Sequence, residues 1–172
     1  NDQATARRLL EHIRYIDAET FRDSLAELLE ALPDGSGEPI GLYAERKIRT
    51  WNGEANRLFK ERRGAVKRAY GGGPQPVHSP HAGRHETGSE GIIANIVTQV
   101  QRAQRRHFFS HPGPDAIRRE MIRRFVLVTD FIGTGSQACL YLDAAWRVAS
   151  TKSWVSGKFL RFEIALPCEV DA

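Results

Sequence analysis

Strand, turn and helix follow one another without a break in RFVLVTDFIGTGSQACLYLDAAWR, residues 124–147. The apolar run at 125–128 is typical of a strand buried in a parallel sheet. Two glycines follow, which allow the backbone to turn sharply, and Ser136 is the expected N-cap of the next helix. Such a turn directs backbone N–H groups and the positive end of a helix dipole at one point, which suits a phosphate. Asp130 adds a carboxylate beside this predicted anion site.

Two well-known phosphate loops do not account for this turn. A Walker loop requires a Lys directly before its Ser or Thr, whereas Ser136 follows Gly135. The dinucleotide-binding pattern G-x-G-x-x-A is met formally by residues 133–138, but it requires an acid about twenty residues later, after a second strand. The acid here is Asp130, which precedes the glycines. We therefore expect a ribose 5-phosphate, with the turn holding the phosphate and the acid accepting hydrogen bonds from the sugar hydroxyls.

The segment VLVTDFIGTGS, residues 126–136, resembles the loop that binds phosphoribosyl diphosphate (PRPP) in the type I phosphoribosyltransferases. In that family a hydrophobic strand runs into two acids and then a turn rich in Thr and Gly. Thr129 stands here in the place of the first acid. The resemblance implies that Asp130 is the catalytic carboxylate at the ribose hydroxyls and that Mg²⁺ is the cofactor. It assigns the 5-phosphate to four residues, Thr134, Gly135, Ser136 and Gln137.

A second helix with glycines at its start is predicted at residues 87–91, Thr-Gly-Ser-Glu-Gly. Apolar residues recur at helical spacing over 92–103, and Ser89 is a natural N-cap. In the transferase family a loop before a buried helix binds the pyrophosphate. The resemblance gives that role to Arg84, Thr87, Gly88, Ser89, Glu90 and Gly91. The residues alone are equally compatible with a capped core helix that binds nothing.

Five short motifs in a fixed order extend the resemblance over most of residues 41–164. They are RAYGGGPQPV, TGSEGIIANIV, HPGPDAIRR, VTDFIGTGS and TKSW, and they are similar to the phosphoribosyltransferase-like proteins of bacterial defence gene neighbourhoods, including retron systems. The resemblance implies an antiviral effector that acts with a partner such as a reverse transcriptase and its nucleic acid. The expected reaction is transfer, or N-glycosidic cleavage, at the ribose 5-phosphate of PRPP or a nucleotide. The alternative is a module that senses PRPP or a nucleotide, or that binds nucleic acid, without turnover.

Length and composition are those of an ordinary globular protein. The chain has 172 residues, of which 41% are apolar and 27% charged. We expect an N-terminal helical pair over residues 1–36, followed over 37–172 by an α/β, Rossmann-like parallel-sheet domain of the phosphoribosyltransferase kind, whose length is compatible with truncation. No apolar run approaches a membrane span, so no membrane partner is expected. Cys139 and Cys168 are isolated, which fits reduced thiols in a cytoplasmic protein. The sequence does not indicate the oligomeric state.

The net charge of +4 is unevenly distributed. Residues 46–68 contain nine Lys and Arg, and residues 102–124 contain seven Arg. Most of these residues are expected on solvated faces. A polyanionic ligand or a nucleic acid is the alternative that this clustering allows.

The remaining elements are predicted from the spacing of apolar residues and from residues that begin or end helices and strands. A helix with apolar residues from Phe21 to Leu32 and with Asp17 as its N-cap is predicted, followed by a strand at 40–44. The expected buried anchors of the next segment are Trp51, Leu58, Phe59 and Val66. Further along we expect a loop at 107–115, a helix at 116–124, a loop at 152–154 and a strand at 162–166. The histidines His78, His81 and His85 lie in a loop with Pro80 and Gly83, where they would not converge, so no metal site is expected.

Overall fold

The computed structural model describes residues 16–76, 89–130, 132 and 134–167, together with residues 3, 5, 7 and 8, which are helical and exposed. Several of the sequence predictions fall on other residues. They concern most of the first N-terminal helix, the histidine loop, Arg84, Thr87, Gly88, Gly133 and Cys168, all of which lie outside the described residues. Cys139 is a free, exposed thiol.

Helices and strands alternate along most of the described chain. The helices are α1 (Ala18–Glu30), α2 (Ser89–Ala103), α3 (Pro114–Arg119), α4 (Ser136–Trp146) and α5 (Ala149–Ser156). The strands are β1 (Ile40–Ala44), β2 (Thr50–Trp51), β3 (Glu54–Ala55), β4 (Lys60–Glu61), β5 (Ala69–Tyr70), β6 (Phe108–Ser110), β7 (Arg124–Val128) and β8 (Arg161–Ala165). The predicted strands at 40–44 and 125–128 and the helix that follows Asp17 are confirmed.

The central sheet has four parallel strands in the order β6-β1-β7-β8. Every residue of the two middle strands, β1 and β7, is buried, as expected for apolar runs in a parallel sheet. Two separate antiparallel hairpins, β2–β3 and β4–β5, lie between β1 and α2 in the sequence.

Each face of the sheet is covered by its own helices, because alternate residues of a strand point to opposite sides. On one face, Leu42 and Val126 pack with the apolar residues of α1 and α2. On the other, Tyr43 and Phe125 stack with their ring centroids 3.7 Å apart and pack with residues of α3, α4, α5 and the β4–β5 hairpin. The protein is therefore an α/β protein with a Rossmann-like parallel sheet between two layers.

The N-terminal helix α1 belongs to this core. Asp17 caps it by accepting hydrogen bonds from the backbone N–H groups of Glu19 and Thr20, both at 2.9 Å. Leu25 and Leu29 are fully buried against the sheet. This second helix of the predicted pair thus contributes to the same hydrophobic core as the strands.

Two of the expected buried anchors are wrong. Trp51 and Val66 are 76% and 80% exposed, whereas Phe59 is buried and Leu58 is half-buried. The reason is that this segment forms short hairpins that turn only a few side chains towards the core. Apolar character alone does not show which side chains those are.

Three predictions in the second half are also corrected. The expected loop at 107–115 contains the edge strand β6, which pairs with β1 from Ile40↔Phe108 to Leu42↔Ser110. The expected helix at 116–124 ends at Arg119, and residues 152–154 lie in helix α5 instead of a loop. Pairing with β1 determines β6, because a strand of only three residues has almost no local sequence signal.

Two of the five sequence motifs pack against each other. A Cβ atom on Gly113 would lie 2.1 Å from the backbone carbon of Gly72, so the two segments touch through their backbones. Asp115 fixes the contact by accepting a hydrogen bond of 2.7 Å from the N–H of Gly71. Gly73 of RAYGGGPQPV and Gly113 of HPGPDAIRR therefore have a packing role.

Candidate ligand-binding site

The strand order creates a switch point in the sheet. From β1 the chain passes to β6 on one side, and then returns across β1 to β7 on the other side. Ligands of open α/β sheets bind at such points, in the crevice beyond the carboxyl ends of the two diverging strands. A cleft of about 430 Å³ lies there, and both Glu45, directly after β1, and Asp130, just beyond the end of β7, line it.

The predicted phosphate turn forms one wall of this cleft. Thr134, Gly135, Ser136 and Gln137 all line it, as does Ala138. Gly135 has a φ of 74°, which favours glycine, and it occupies the N-cap position of α4. The expected N-cap, Ser136, is instead the first residue of the helix. The cap is displaced because the turn needs a left-handed residue directly before the helix.

The start of α4 offers hydrogen-bond donors to the cleft. The first N–H groups of a helix have no partner within it, and the helix dipole adds partial positive charge there. The first helical hydrogen bond runs from the N–H of Cys139 to the carbonyl of Gly135 at 2.8 Å. The hydroxyls of Thr134 and Ser136 lie 2.8 Å apart and add two further polar groups. This arrangement suits an anion such as a phosphate.

The opposite side of the cleft is acidic. Asp130 is half-buried, and Glu45 is only 5% exposed. The backbone N–H of Glu45 donates to the carbonyl of Val128 at 2.8 Å, which places Glu45 beside the end of β7. The side chain of the buried Thr129 hydrogen bonds with the Glu45 carboxyl group. Two acids from neighbouring strands thus flank the same threonine.

Burial raises the pKa of the Glu45 carboxyl group above its ordinary value of 4.5. The hydrogen bond from Thr129 acts in the opposite direction, and the negative charges of Asp130 and Glu90 raise the pKa further. Glu45 is therefore an acid held in a low-dielectric position close to two others. A cation or a set of hydroxyl donors in the cleft would relieve this repulsion.

The structure brings part of the second predicted segment to the same cleft. Ser89 and Glu90, the first residues of α2, line it together with Asp130. The Glu90 carboxylate accepts a hydrogen bond of 3.2 Å from the backbone N–H of Lys47, which ties α2 to the segment after β1. Gly91 is buried in the first turn of α2 and does not line the cleft.

The charges of the lining residues divide the cleft into an acidic part and a part that suits an anion. Among the described residues that line the cleft, three are acidic and none is Lys or Arg. An anionic group would therefore depend on backbone N–H groups and hydroxyls at the start of α4. The carboxylates would face a different part of the ligand, one with hydroxyls or a bound cation.

Mg²⁺ fits this site only together with a ligand. No group of three or more His, Cys, Asp or Glu in the described ranges is arranged to hold a metal ion. Mg²⁺ in proteins is commonly held by one or two carboxylates, with water and substrate phosphates completing its octahedron. Asp130 and Glu45 could supply those carboxylates.

Sequence reasoning did not identify Glu45 as a site residue, although a signal was present. Glu45 directly follows a predicted buried strand, and Asp130 comes at nearly the same point after the other. The carboxyl ends of parallel strands meet at one edge of a sheet. Two acids in that position are expected to share a site once β1 and β7 are known to be neighbours.

No family model, curated protein or solved structure matches this chain. None of the helices in the described part of the chain has the length and apolar character needed to cross a bilayer. The class of protein is thus defined by its own structure: an α/β protein with a Rossmann-like parallel sheet and a polar cleft at the switch point of that sheet.

Proposed function

We propose that the cleft binds a phosphorylated ribose, as PRPP or a nucleotide, and that the protein is a phosphoribosyltransferase-like enzyme. It would act at the ribose 5-phosphate by transfer to an acceptor or by N-glycosidic cleavage. One observation carries the proposal: Asp130 and the glycine turn at the start of α4 line one cleft at the switch point of a parallel sheet.

The 5-phosphate is placed at the start of α4. Backbone N–H groups and the hydroxyls of Thr134 and Ser136 are the anion-binding groups on the described lining of the cleft. Glu45 and Asp130 lie towards the ends of β1 and β7 and Glu90 lies at the start of α2, so a phosphate without a bound cation would be repelled there. The ribose ring then extends from α4 towards those acids.

Asp130 accepts hydrogen bonds from the ribose hydroxyls, and Glu45 supplies the second carboxylate. In the family that the sequence resembles, two acids follow the strand, and Thr129 occupies the place of the first. Glu45 hydrogen bonds with Thr129 from the neighbouring strand. Glu45, at the end of β1, therefore supplies the second carboxylate that Thr129 does not supply at the end of β7.

The chemistry would be dominated by positioning and electrostatics. The bond from the anomeric carbon to pyrophosphate, or to the base nitrogen, breaks with its electron pair leaving on that group. The ribose becomes oxocarbenium-like, and the carboxylates of Asp130 and Glu45 stabilise its positive charge. An acceptor amine or a water molecule supplies the new electron pair and releases its proton to solvent. The start of α2, at Ser89 and Glu90, lies across the cleft and is the proposed place of the leaving group.

Mg²⁺, when bound, would neutralise the phosphate charge of the leaving group. Asp130 and Glu45 would hold it together with the ligand. The five ordered sequence motifs further support an antiphage effector that acts with a reverse transcriptase and its nucleic acid.

The second candidate function is a sensor that binds PRPP or a nucleotide without reaction. Release of product distinguishes an enzyme from this sensor. Thr129 carries no charge and Glu45 is buried, so among the described residues Asp130 is the one accessible carboxylate at the ends of β1 and β7, which favours the sensor. We expect PRPP with Mg²⁺, or a nucleotide, to raise the melting temperature, with release of pyrophosphate from PRPP or of free base from the nucleotide, and Asp130→Asn to abolish that release. Asp143→Asn, an equal change on the exposed side of α4, is the matched control. Stabilisation without any product would favour the sensor, and no stabilisation by PRPP or nucleotides would refute both.

A further inference from the structure

A strongly basic surface lies on the hairpin formed by β4 and β5, and none of the residues that line it also lines the cleft. Residues 57–70, which we call the basic hairpin, contain six Lys and Arg and a single acid, a formal charge of +5. The whole chain carries only +4, so the remaining residues are slightly acidic in sum. Residues 62–68, which connect the two strands, are all exposed.

The one acid of the basic hairpin is already neutralised. Glu61 forms an ion pair with Arg57 at 3.0 Å and accepts a hydrogen bond of 2.7 Å from the backbone N–H of Ala149 at the start of α5. Its carboxylate faces the protein and does not offset the charge of the exposed turn. In the part of the chain that the structure describes, Arg63, Lys67 and Arg68 make no side-chain hydrogen bond or ion pair.

The basic hairpin is anchored at its base. The backbone N–H of Ala69 donates to the Ser150 hydroxyl at 2.9 Å, and the Ala69 carbonyl accepts from Arg118 at 2.7 Å. Phe59 is buried in the second core cluster below it. The cationic turn is therefore presented on a base fixed to the helical layer, and little order has to be gained there on binding.

The surface is concave and combines cations with an aromatic ring. A depression of about 410 Å³ is lined by Arg57, Phe59, Glu61, Arg62, Arg63, Gly64 and Lys67. The Arg62 guanidinium lies 5.6 Å from the centre of the ring of Tyr70, which is 38% exposed. Guanidinium groups bind phosphates through paired hydrogen bonds, and exposed rings beside cations stack with unpaired bases.

We propose that the basic hairpin binds single-stranded nucleic acid through its sugar–phosphate backbone. Its cations match a repeating phosphate charge, and the Arg62–Tyr70 pair offers a stacking surface. Anionic membranes fit the surface less well, because Val66 is the single large apolar side chain of the exposed turn and stable membrane binding requires more buried apolar area. The cleft and the basic hairpin share no lining residue, so this binding does not depend on the ligand or the reaction proposed for the cleft.

The test is fluorescence anisotropy with labelled DNA and RNA single strands of about 20 nucleotides, across salt from about 50 to 200 mM. The triple variant Arg63→Gln, Lys67→Gln and Arg68→Gln removes three cations from the turn. Arg102→Gln, Arg105→Gln and Arg106→Gln, at and just beyond the end of α2, remove three exposed cations elsewhere and serve as the matched control.

We expect the full chain to bind single strands, and the hairpin variant to bind roughly tenfold or more weakly while its salt slope falls by about 2. The control triple and Asp130→Asn should bind like the unchanged protein. The proposal would be overturned by an equal loss of binding in both triple variants, by no binding at the lowest salt, or by tighter binding to the matching duplex. Hairpin-dependent binding to phosphatidylserine vesicles but not to oligonucleotides would also overturn it. Circular dichroism melts confirm folding, and Arg63→Gln alone repeats the test with a smaller effect should the triple variant unfold.

Discussion

At the scale of single residues, Glu45 lines the cleft, and its burial lowers the stability of the protein when its carboxyl group is ionised. Its pKa lies above 4.5 because of burial, even though Thr129 donates to it. The sign follows from linkage: the folded state holds this proton more tightly than the unfolded state. The contribution of this proton to the free energy of unfolding is therefore complete at pH values below the unfolded-state pKa of Glu45. It is lost as the pH rises through the folded-state pKa.

The first prediction is therefore that Glu45→Gln raises the melting temperature at about pH 7 and that the difference shrinks towards about pH 4. The variant should also be stabilised less by PRPP with Mg²⁺, because one of the two proposed ribose carboxylates is gone. Thermal melts over this pH range, with and without ligand, measure both effects. Glu30→Gln, at an exposed acid of α1, is the control and should change neither. A lower melting temperature for Glu45→Gln at neutral pH would contradict the stability argument.

At the scale of elements, the start of α4 depends on a backbone conformation. Gly135 has a φ of 74°, and among the described residues a Cβ atom there would meet Ile132 at 3.9 Å, an ordinary contact. Space is therefore available, and the penalty for another residue comes from the left-handed backbone.

We predict that Gly135→Ala costs about 1–2 kcal/mol of stability and weakens phosphate binding, because relief of the strain would turn the N–H groups of α4 away from the cleft. Gly72→Ala is the control: its φ is not in the left-handed region and no atom of the described residues lies within 4 Å of the added Cβ, so we expect little change. Urea unfolding and titration with ribose 5-phosphate give the two quantities. Equal stability of the two variants would mean that Gly135 does not hold this turn.

A second element-level prediction concerns the contact between the two glycine-containing motifs. A Cβ on Gly113 would lie within 2.4 Å of three backbone atoms of residues 71–73, and backbone cannot move aside as a side chain can. Gly113→Ala should therefore destabilise the protein by about 1–3 kcal/mol or more, the usual cost of overpacking. The same urea unfolding experiment measures it, again against Gly72→Ala. A cost below that of Gly135→Ala would show that the two segments separate easily.

At the scale of the whole molecule, local sequence determined the two central strands and the helices α1 and α4, and tertiary contacts determined the strand order. The apolar runs of β1 and β7, the Asp17 cap and the helix after Gly135 follow from adjacent residues, and so does the grouping of Asp130 with the glycine turn. The edge strand β6 and the contribution of Glu45 could not be predicted in this way. Both depend on β1 lying between β6 and β7, which is decided by packing between segments more than sixty residues apart.

One partly buried ion pair joins three parts of this assembly and supports the last prediction. Arg124, at the start of β7, bonds to Glu163 of β8 at 2.6 and 2.9 Å and also to the carbonyl of Leu32, beyond the end of α1. Arg161 bonds to the same Glu163 at 2.7 Å. The side chain of Arg124 is 9% exposed and that of Arg161 is 50% exposed. Arg161 also forms an ion pair with Glu38 at 3.1 Å, so the two arginines differ in burial and in their second partner.

We predict that Arg124→Leu destabilises the protein by about 3 kcal/mol, because it leaves the Leu32 carbonyl and part of Glu163 without a partner in a poorly solvated place. Arg161→Leu, the matched control at the same carboxylate, should cost less than about 1 kcal/mol, as exposed pairs do. Urea unfolding compares them, and hydrogen exchange in α1 should increase in Arg124→Leu only. Equal costs would mean that burial does not set the strength of these pairs, and that α1 is held to the sheet by its apolar packing, which includes Leu25 and Leu29.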